Sequence, residues 1–370
     1  MADDPIDKVV SAAAWSEFCD LLKKAGDVVL REDLETSPFD RAEGLRYLTR
    51  LLRAGFVSFA EHTGPRHPVF RAMPDLVKMG LDNPDNYYVS ASVNGQHTYR
   101  IRGKRGTIHY LSFAAQNQNF AARDRLSGGA GHLEDSELEL GSDGSFEIIA
   151  SQQEHPGNWL RMNPDTSQIL VRQTFLDRTR ERPVEIEIEC LEVDAPPAPL
   201  DPARVPGQLM GSAMYAMGCA QWFADWVVDF RQKSGGEVNT FHLPDLEDHR
   251  LVGGDPNIRI WLGLWTLAPD EALVIQATPP KCDYWNFQLG NIWAESLDYR
   301  FRRVHTNSHT TTMRDDGSFE LVVAAEDPGH PNWLDTSGHD HGTMCLRWVR
   351  AESHPEPRCR VVKLADAPGA

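Results

Sequence analysis

The sequence predicts a mainly β protein with helical additions: two tandem, related β-sandwich or jelly-roll-like halves, a helical N-terminal cap, and a helix between the halves. Three observations lead there. Short alternating segments rich in Tyr, Val, Thr and Ile recur between turn residues, as the strands of a sandwich do. The pattern DGSFEIIASQQEHPGNWL at residues 143–160 returns at residues 316–334 as DGSFELVVAAEDPGHPNWL, and such self-similarity marks a doubled fold. The proline-rich DAPPAPLDPARVP at residues 194–206 reads as a stiff linker dividing the two copies.

In chain order, Ile6, Val9, Val10, Ala13, Phe18, Leu21 and Leu22 recur at three- and four-residue steps, which predicts an amphipathic helix. A second helix is expected from Ser37-Pro38, where a capping hydroxyl precedes a first-turn proline, through Val57. Residues 63–83, with three prolines and no clean period, read as an extended connector. These parts make up a cap and connector at 1–80.

The first β half, 81–195, contains NYYVSASV, HTYRIRG and GTIHYLSFAAQ, a glycine-rich loop at 127–131, then SELEL, SFEIIAS, QILVRQTF and VEIEIECLE. Residues 196–240 hold the linker and a helix whose stripe of Met, Ala and Phe from Leu209 to Phe230 stops at Gly235-Gly236. Such a stripe is more often core than a ligand wall. The second half, 241–364, opens with NIRIWLGLW and ALVIQAT and runs on through CDYWNFQLGN, LDYRFRRV, SFELVVAA, MCLRWV and CRVVKL.

Composition narrows the partners. Lys and Arg number 37 against 54 Asp and Glu, a net charge of −17, so nucleic acid and anionic membrane surfaces are repelled. The start lacks a basic and apolar leader pattern, no apolar run reaches a bilayer span, and six cysteines show no C-x-x-C spacing; a cytoplasmic protein with reduced cysteines is expected. No cofactor is expected. A small-molecule ligand or substrate is the expected partner, with homo-oligomerisation possible.

Laying one half on the other pairs Tyr110 with Tyr284, Phe113 with Phe287, Asn117 with Asn291 and Trp159 with Trp333, all 174 residues apart, and Arg172 with Arg347, 175 apart. Shared residues are those that keep the fold; the differences are more informative. Leu111 becomes Trp285, Ser112 becomes Asn286, Ala114 becomes Gln288 and Asn119 becomes Trp293, while His330, His339 and His341 stand beside the later copy of the pattern. YWNFQLGNIW, DDGSFELVV, PGHPNWLDTSGH and the closing LRW, within residues 257–348, resemble the mainly bacterial domain-of-unknown-function family 1214. That resemblance implies the fold and draws attention to the later half, and implies no reaction.

On these residues the leading expectation is an enzyme acting on a small, partly apolar compound by metal-independent acid/base chemistry: elimination, hydration, isomerisation or hydrolysis. His339 would move the proton, Asp335 orient it, and Arg347 bind an anionic group. Trp285, Trp293 and Trp333 would wall the pocket, and Asn286, Gln288, Asn291 and Asn332 would supply neutral hydrogen bonds. Each has a plainer structural role beside it: Asp335 capping a turn, Arg347 pairing within its sheet as Arg172 would. One alternative is a non-catalytic binding or assembly module for a carbohydrate, a hydrophobic metabolite or a partner subunit. Another is a metal held by His339 and His341, with His305, His309, Asp335 or His354 as third ligand; the flanking Gly338 and Gly342 argue for a loop, where strand alternation fails to aim both rings together. A serine hydrolase, an NTPase and a Rossmann dehydrogenase are disfavoured, because G-x-S-x-G, P-loop and G-x-G-x-x-G patterns are missing.

Overall fold

A computed structural model describes residues 4–61, 64–72, 77–117, 129–245 and 254–369. Part of the expected connector (63 and 73–76) and of the glycine-rich loop (127–128) therefore lies outside the described residues. The chain forms two compact units. The first takes its residues from 1–77 and 85–222, the second from 78–84, 223–249 and 254–370.

In the first unit, helices α1 (Pro5–Val10), α2 (Ala13–Gly26) and α3 (Pro38–Phe56) precede the sheets. The single helix expected from Ile6 breaks in two because Ala12 sits in the left-handed region at φ 60°. The Ser37 start holds: its hydroxyl and the Asp40 carboxylate bond each other's backbone N–H groups in a capping box, with Pro38 in the first turn. One sheet has the order β1 (Arg71–Ala72), β2 (Asn86–Ser92), β8 (Gln168–Thr174), β4 (Tyr110–Gln116), β5 (Gly129–Glu134). The other runs β7 (Trp159–Arg161), β6 (Ser145–Ser151), β3 (Tyr99–Lys104), β9 (Glu185–Cys190). Alternate residues of both, including Tyr99, Ile101, Phe113, Ile148 and Val171, fill one core.

The second unit repeats this plan. Its sheets run β10 (Ile258–Thr266), β16 (His341–Val349), β12 (Tyr284–Gly290), β13 (His305–Asn307), and β15 (Trp333–Asp335), β14 (Phe319–Ala324), β11 (Glu271–Ala277), β17 (Arg358–Lys363). Counted within each half, both units order their strands 1-7-3-4 and 6-5-2-8, and in each the fifth and sixth strands pair in parallel. Phe287, Phe319, Leu321, Leu346 and Trp348 share its core with their sheet neighbours. Gly144 and Gly317 of the two DGSFE copies both take positive φ, 80° and 78°, as the turn requires.

Three elements differ from the sequence reading. SELEL makes no strand, because Glu137 N–H turns back to Glu134 O at 3.0 Å; the strand beside it is Gly129–Glu134, which includes the end of the glycine-rich stretch. LDYRFRRV also turns, with Arg302 N–H donating to Asp298 O at 3.2 Å and Phe301 left 81% exposed. Helix α4 (Val205–Lys233) is present and buries Ala213, Ala220, Phe223 and Val227 of the expected stripe, but Met214 is exposed and small residues, Ser212, Ala216, Cys219 and Ala224, fill the rest of the buried face. Small side chains suit the close approach of Gly55 to the Ser212 backbone. Among the described residues no helix is long and apolar enough to cross a membrane.

Candidate functional site

Asn286, Gln288 and Arg347 lie on the face of their sheet opposite the sandwich core, since Trp285, Phe287 and Trp348 alternate with them into that core. Asn286 and Arg347 are register partners. All three are buried, and what covers them is the Lys78–Pro84 segment of the same unit. Arg347 NH2 donates to Leu81 O at 2.5 Å and its NH1 to Gln288 Oε1 at 2.5 Å. Gln288 Nε2 donates to Asp82 O at 2.9 Å, and Asn286 Nδ2 to Asn83 Oδ1 at 2.6 Å.

Asn291 works on the same segment indirectly. Its Oδ1 accepts from Trp293 N and Glu295 N, at 3.0 and 3.1 Å, which folds the turn whose Ala294 carbonyl takes Leu81 N–H at 2.7 Å. Trp293 is fully buried within that turn. Ser296 N and Oγ donate to the two Asp82 oxygens, and Lys78 Nζ donates to Ser296 O and Leu297 O at 2.7 Å each. Three of the four neutral hydrogen-bonding groups singled out in the later half, Asn286, Gln288 and Asn291, thus converge, and the guest they grip is a segment of their own chain, residues 78–84.

The remaining residues lie elsewhere in the unit. Trp285 is a core residue, stacked on Phe319 with ring centroids 4.3 Å apart. Asn332, Trp333 and Asp335 belong to β15 and its approach, on the other sheet. Asn332 ties loops together, donating to Thr312 O and Glu320 O; Trp333 Nε1 donates to Ala324 O at 3.1 Å. Asp335 accepts from Arg302 NH1 at 2.7 Å and from Ser337 N at 2.6 Å. His339 is buried in the following turn with Nδ1 2.9 Å from Thr336 O, and His341 Nδ1 lies 2.6 Å from Asp340 Oδ1. Ser337 at φ 57° and Gly338 at φ 85° make His339 a loop residue, not a strand partner of His341. Among the described residues the cluster of three metal-type side chains is His97, Cys190 and Glu192, which includes neither histidine.

A titratable group not anticipated from the sequence sits on the outer face of the second sheet. Glu320, in the DGSFE motif, is nearly buried yet faces away from the core; Gln276 Nε2 donates to it, Arg314 NH2 is 2.6 Å away and Arg360 NH2 4.0 Å. His330 Nε2 approaches it at 3.6 Å. Asn332 N–H donates to His330 Nδ1 at 3.1 Å, so the proton of the neutral ring is on Nε2, facing Glu320. Burial holds the His330 pKa below its ordinary value, against the pull of Glu320. The sequence carried one signal for this site, since the later copy of the pattern adds His330; in the structure Glu147, the counterpart of Glu320, is an exposed partner of Arg102.

The two best-formed cavities among the described residues are about 20 and 10 Å³, the first lined by residues including Arg53, Arg71 and Ser90, the second by Leu81, Trp226, Phe230 and Thr343. Each is water-sized.

The sequence profile of the family described as "Protein of unknown function (DUF1214)" matches residues 88–174 and 270–353, so the likeness seen in the later half extends to the first. A crystal structure of an uncharacterized protein from Burkholderia cenocepacia is 44% identical, with a TM-score of 0.93 over 98% of this chain and 100% of that one. A protein from Vibrio parahaemolyticus is 12% identical, with a TM-score of 0.49 over 92% of this chain and 100% of that one. No curated protein matches the sequence.

Proposed function

The chain belongs to the DUF1214 family of proteins of unknown function, and from that premise we propose that it is a binding and assembly module, pairing with a second copy of itself through the outer faces of its N-terminal helices. The carrying observation is where apolar surface is left in water. Eight of the eighteen exposed large hydrophobic side chains fall within residues 4–61, among them Val10 at 82%, Trp15 at 58% and Leu45 at 56%. Helix α1 carries Ile6, Val9 and Val10 and buries none of its residues. Where such side chains adjoin on a surface they offer a docking face. The charge of −17 turns away anionic lipid and nucleic acid, and a second copy presents the same apolar face, which a two-fold contact closes. Six free cysteines suit a reducing compartment and support a cytoplasmic location in this reading. Sedimentation velocity on the full chain tests it: a species of twice 41.5 kDa is expected, reduced to monomer by Val10→Asp with Trp15→Asp. A monomer at every concentration, or a dimer that both substitutions leave intact, overturns it.

A second reading, acid/base catalysis on a small, partly apolar compound, is favoured by one observation: the His330 Nε2–H directed at a buried carboxylate, Glu320. His339, Asp335 and Arg347 engage Thr336, Arg302 and Leu81 respectively, whereas His330 Nε2 faces, at 3.6 Å, a carboxylate that Arg314 and Gln276 also hold. Turnover of a compound from a panel of esters, hydroxy acids and ketones should fall about 100-fold or more in Glu320→Gln and in His330→Gln. Turnover equal to wild type in both, or none in the panel, rejects it.

A further inference from the structure

We propose that His97, Cys190 and Glu192 of the first unit form a mononuclear site for a borderline-soft divalent cation, with zinc the best match. The three come from two adjoining pieces of backbone. His97 lies in the connection that carries the chain from β2 in one sheet to β3 in the other, Cys190 ends β9 as the register partner of Tyr99, and Glu192 follows two residues later. One ligand atom from each lies within 4.8 Å of the other two. Cys190 Sγ is 3.3 Å from Glu192 Oε2, and His97 Nδ1 is 3.9 Å from that same oxygen. A tetrahedral zinc ion with its ordinary Zn–S, Zn–N and Zn–O bonds sets such atoms about 3.3–3.6 Å apart; the Sγ–Oε2 pair already has that spacing and the Nδ1–Oε2 pair lies a few tenths of an ångström outside it.

The carboxylate is already aimed. Thr98 N–H donates to Glu192 Oε1 at 2.8 Å, and Leu191 N–H to Thr98 O at 2.9 Å, which leaves Oε2 turned toward the sulfur and the imidazole. One nitrogen, one sulfur and one oxygen donor suit zinc better than magnesium or calcium, which prefer oxygen alone. Cys190 is buried, while the His97 and Glu192 side chains are 25% and 44% exposed, so water can take the fourth position. Binding balances simply: the Cys190 thiol gives its proton to solvent, thiolate and carboxylate together cancel the charge of the ion, and neutral His97 coordinates through Nδ1 with its proton on Nε2. Without metal the thiol donates to Glu192, and burial keeps it protonated against the nearby charge of Arg66. An ion there would staple the end of β9, an edge strand of its sheet, to the β2–β3 connection just ahead of the proline-rich linker.

Cobalt titration of the reduced, chelator-treated full chain tests this. One equivalent should produce the near-ultraviolet thiolate-to-cobalt charge-transfer band together with the visible bands of a four-coordinate ion, and zinc should erase both. Cys190→Ser should abolish the charge-transfer band. His97→Ala and Glu192→Gln, partly exposed and therefore safe for folding, should each weaken cobalt binding at least about tenfold. Absence of the band in wild type, its persistence in Cys190→Ser through another of the cysteines, or undiminished affinity in the other two variants overturns the site.

Discussion

Arg347 shows how one side chain can look catalytic in a sequence and act as an anchor in a fold. A buried guanidinium is tolerated only where its donors are met, and here Leu81 O and Gln288 Oε1 meet them. Arg347→Met would take the guanidinium donor from two neutral acceptors, Leu81 O and the Gln288 carbonyl, and urea unfolding should show a loss of about 2–5 kcal/mol; a loss near zero would mean the clamp contributes nothing. Asn286→Ala, which removes the hydrogen bond to the neutral Asn83 oxygen, should cost less, about 0.5–1.5 kcal/mol. His330 carries a pH signature. Burial keeps its folded pKa below 6.5, opposed by Glu320 and Asp327 and assisted by Arg314 and Arg303. The unfolded ring therefore takes up protons first as pH falls through about 6.5, and the folded state loses stability from there until the folded pKa is passed. Wild type should lose ground to His330→Gln in urea midpoint between about pH 7.5 and 5; a flat or widening margin contradicts this. At this scale the sequence was half legible. Comparing halves picked out Asn286 and Gln288 as gained polar groups, but their partners sit more than 200 residues earlier in the chain, a distance no local pattern reports.

At the scale of elements, legibility followed backbone chemistry more than residue alternation. The Ser37-Pro38 start and the two DGSFE turns were readable because each depends on a conformation that few residues supply. SELEL misled because Glu/Leu alternation costs nothing to write in a turn, and the three-residue strands β7 and β15 were too short to carry a period at all. The DGSFE turn gives a clean measurement. Nothing stands within 4 Å of a Cβ placed on Gly144 or Gly317, so only their left-handed backbone resists substitution. Gly144→Ala and Gly317→Ala should each cost about 1 kcal/mol or slightly more by chemical denaturation. Gly290→Ala, in β12, should cost more, because its Cβ would stand 2.5 Å from Leu81 Cδ2 and 2.9 Å from Glu295 O, and displace the turn that holds the Lys78–Pro84 segment. Equal costs at all three positions would show that this close approach relaxes freely.

Across the whole molecule, duplication preserved a strand order while each unit kept a core of its own: among the described residues, those that pack around Phe113 come from the first unit, and those around Phe287 from the second. Separate cores make separate cooperative blocks. The exception to sequence order is Lys78–Pro84, which precedes the first sandwich in the chain yet is bonded into the second, with 266 residues between Leu81 and Arg347. Its contacts close the longest loop described here, and long-range closure of that kind comes at a cost in chain entropy that local pairing avoids. The segment should therefore be the first part of the second unit to open. In Arg347→Met, hydrogen exchange should speed up at Leu81, whose N–H is held by Ala294 O, and next along β12 and β16, while β3, β4, β6 and β8 keep their wild-type protection. If the strands of the first unit lose protection in step with those of the second, the two cores unfold as one block, and the clamp on Lys78–Pro84 is part of the stability of the entire chain.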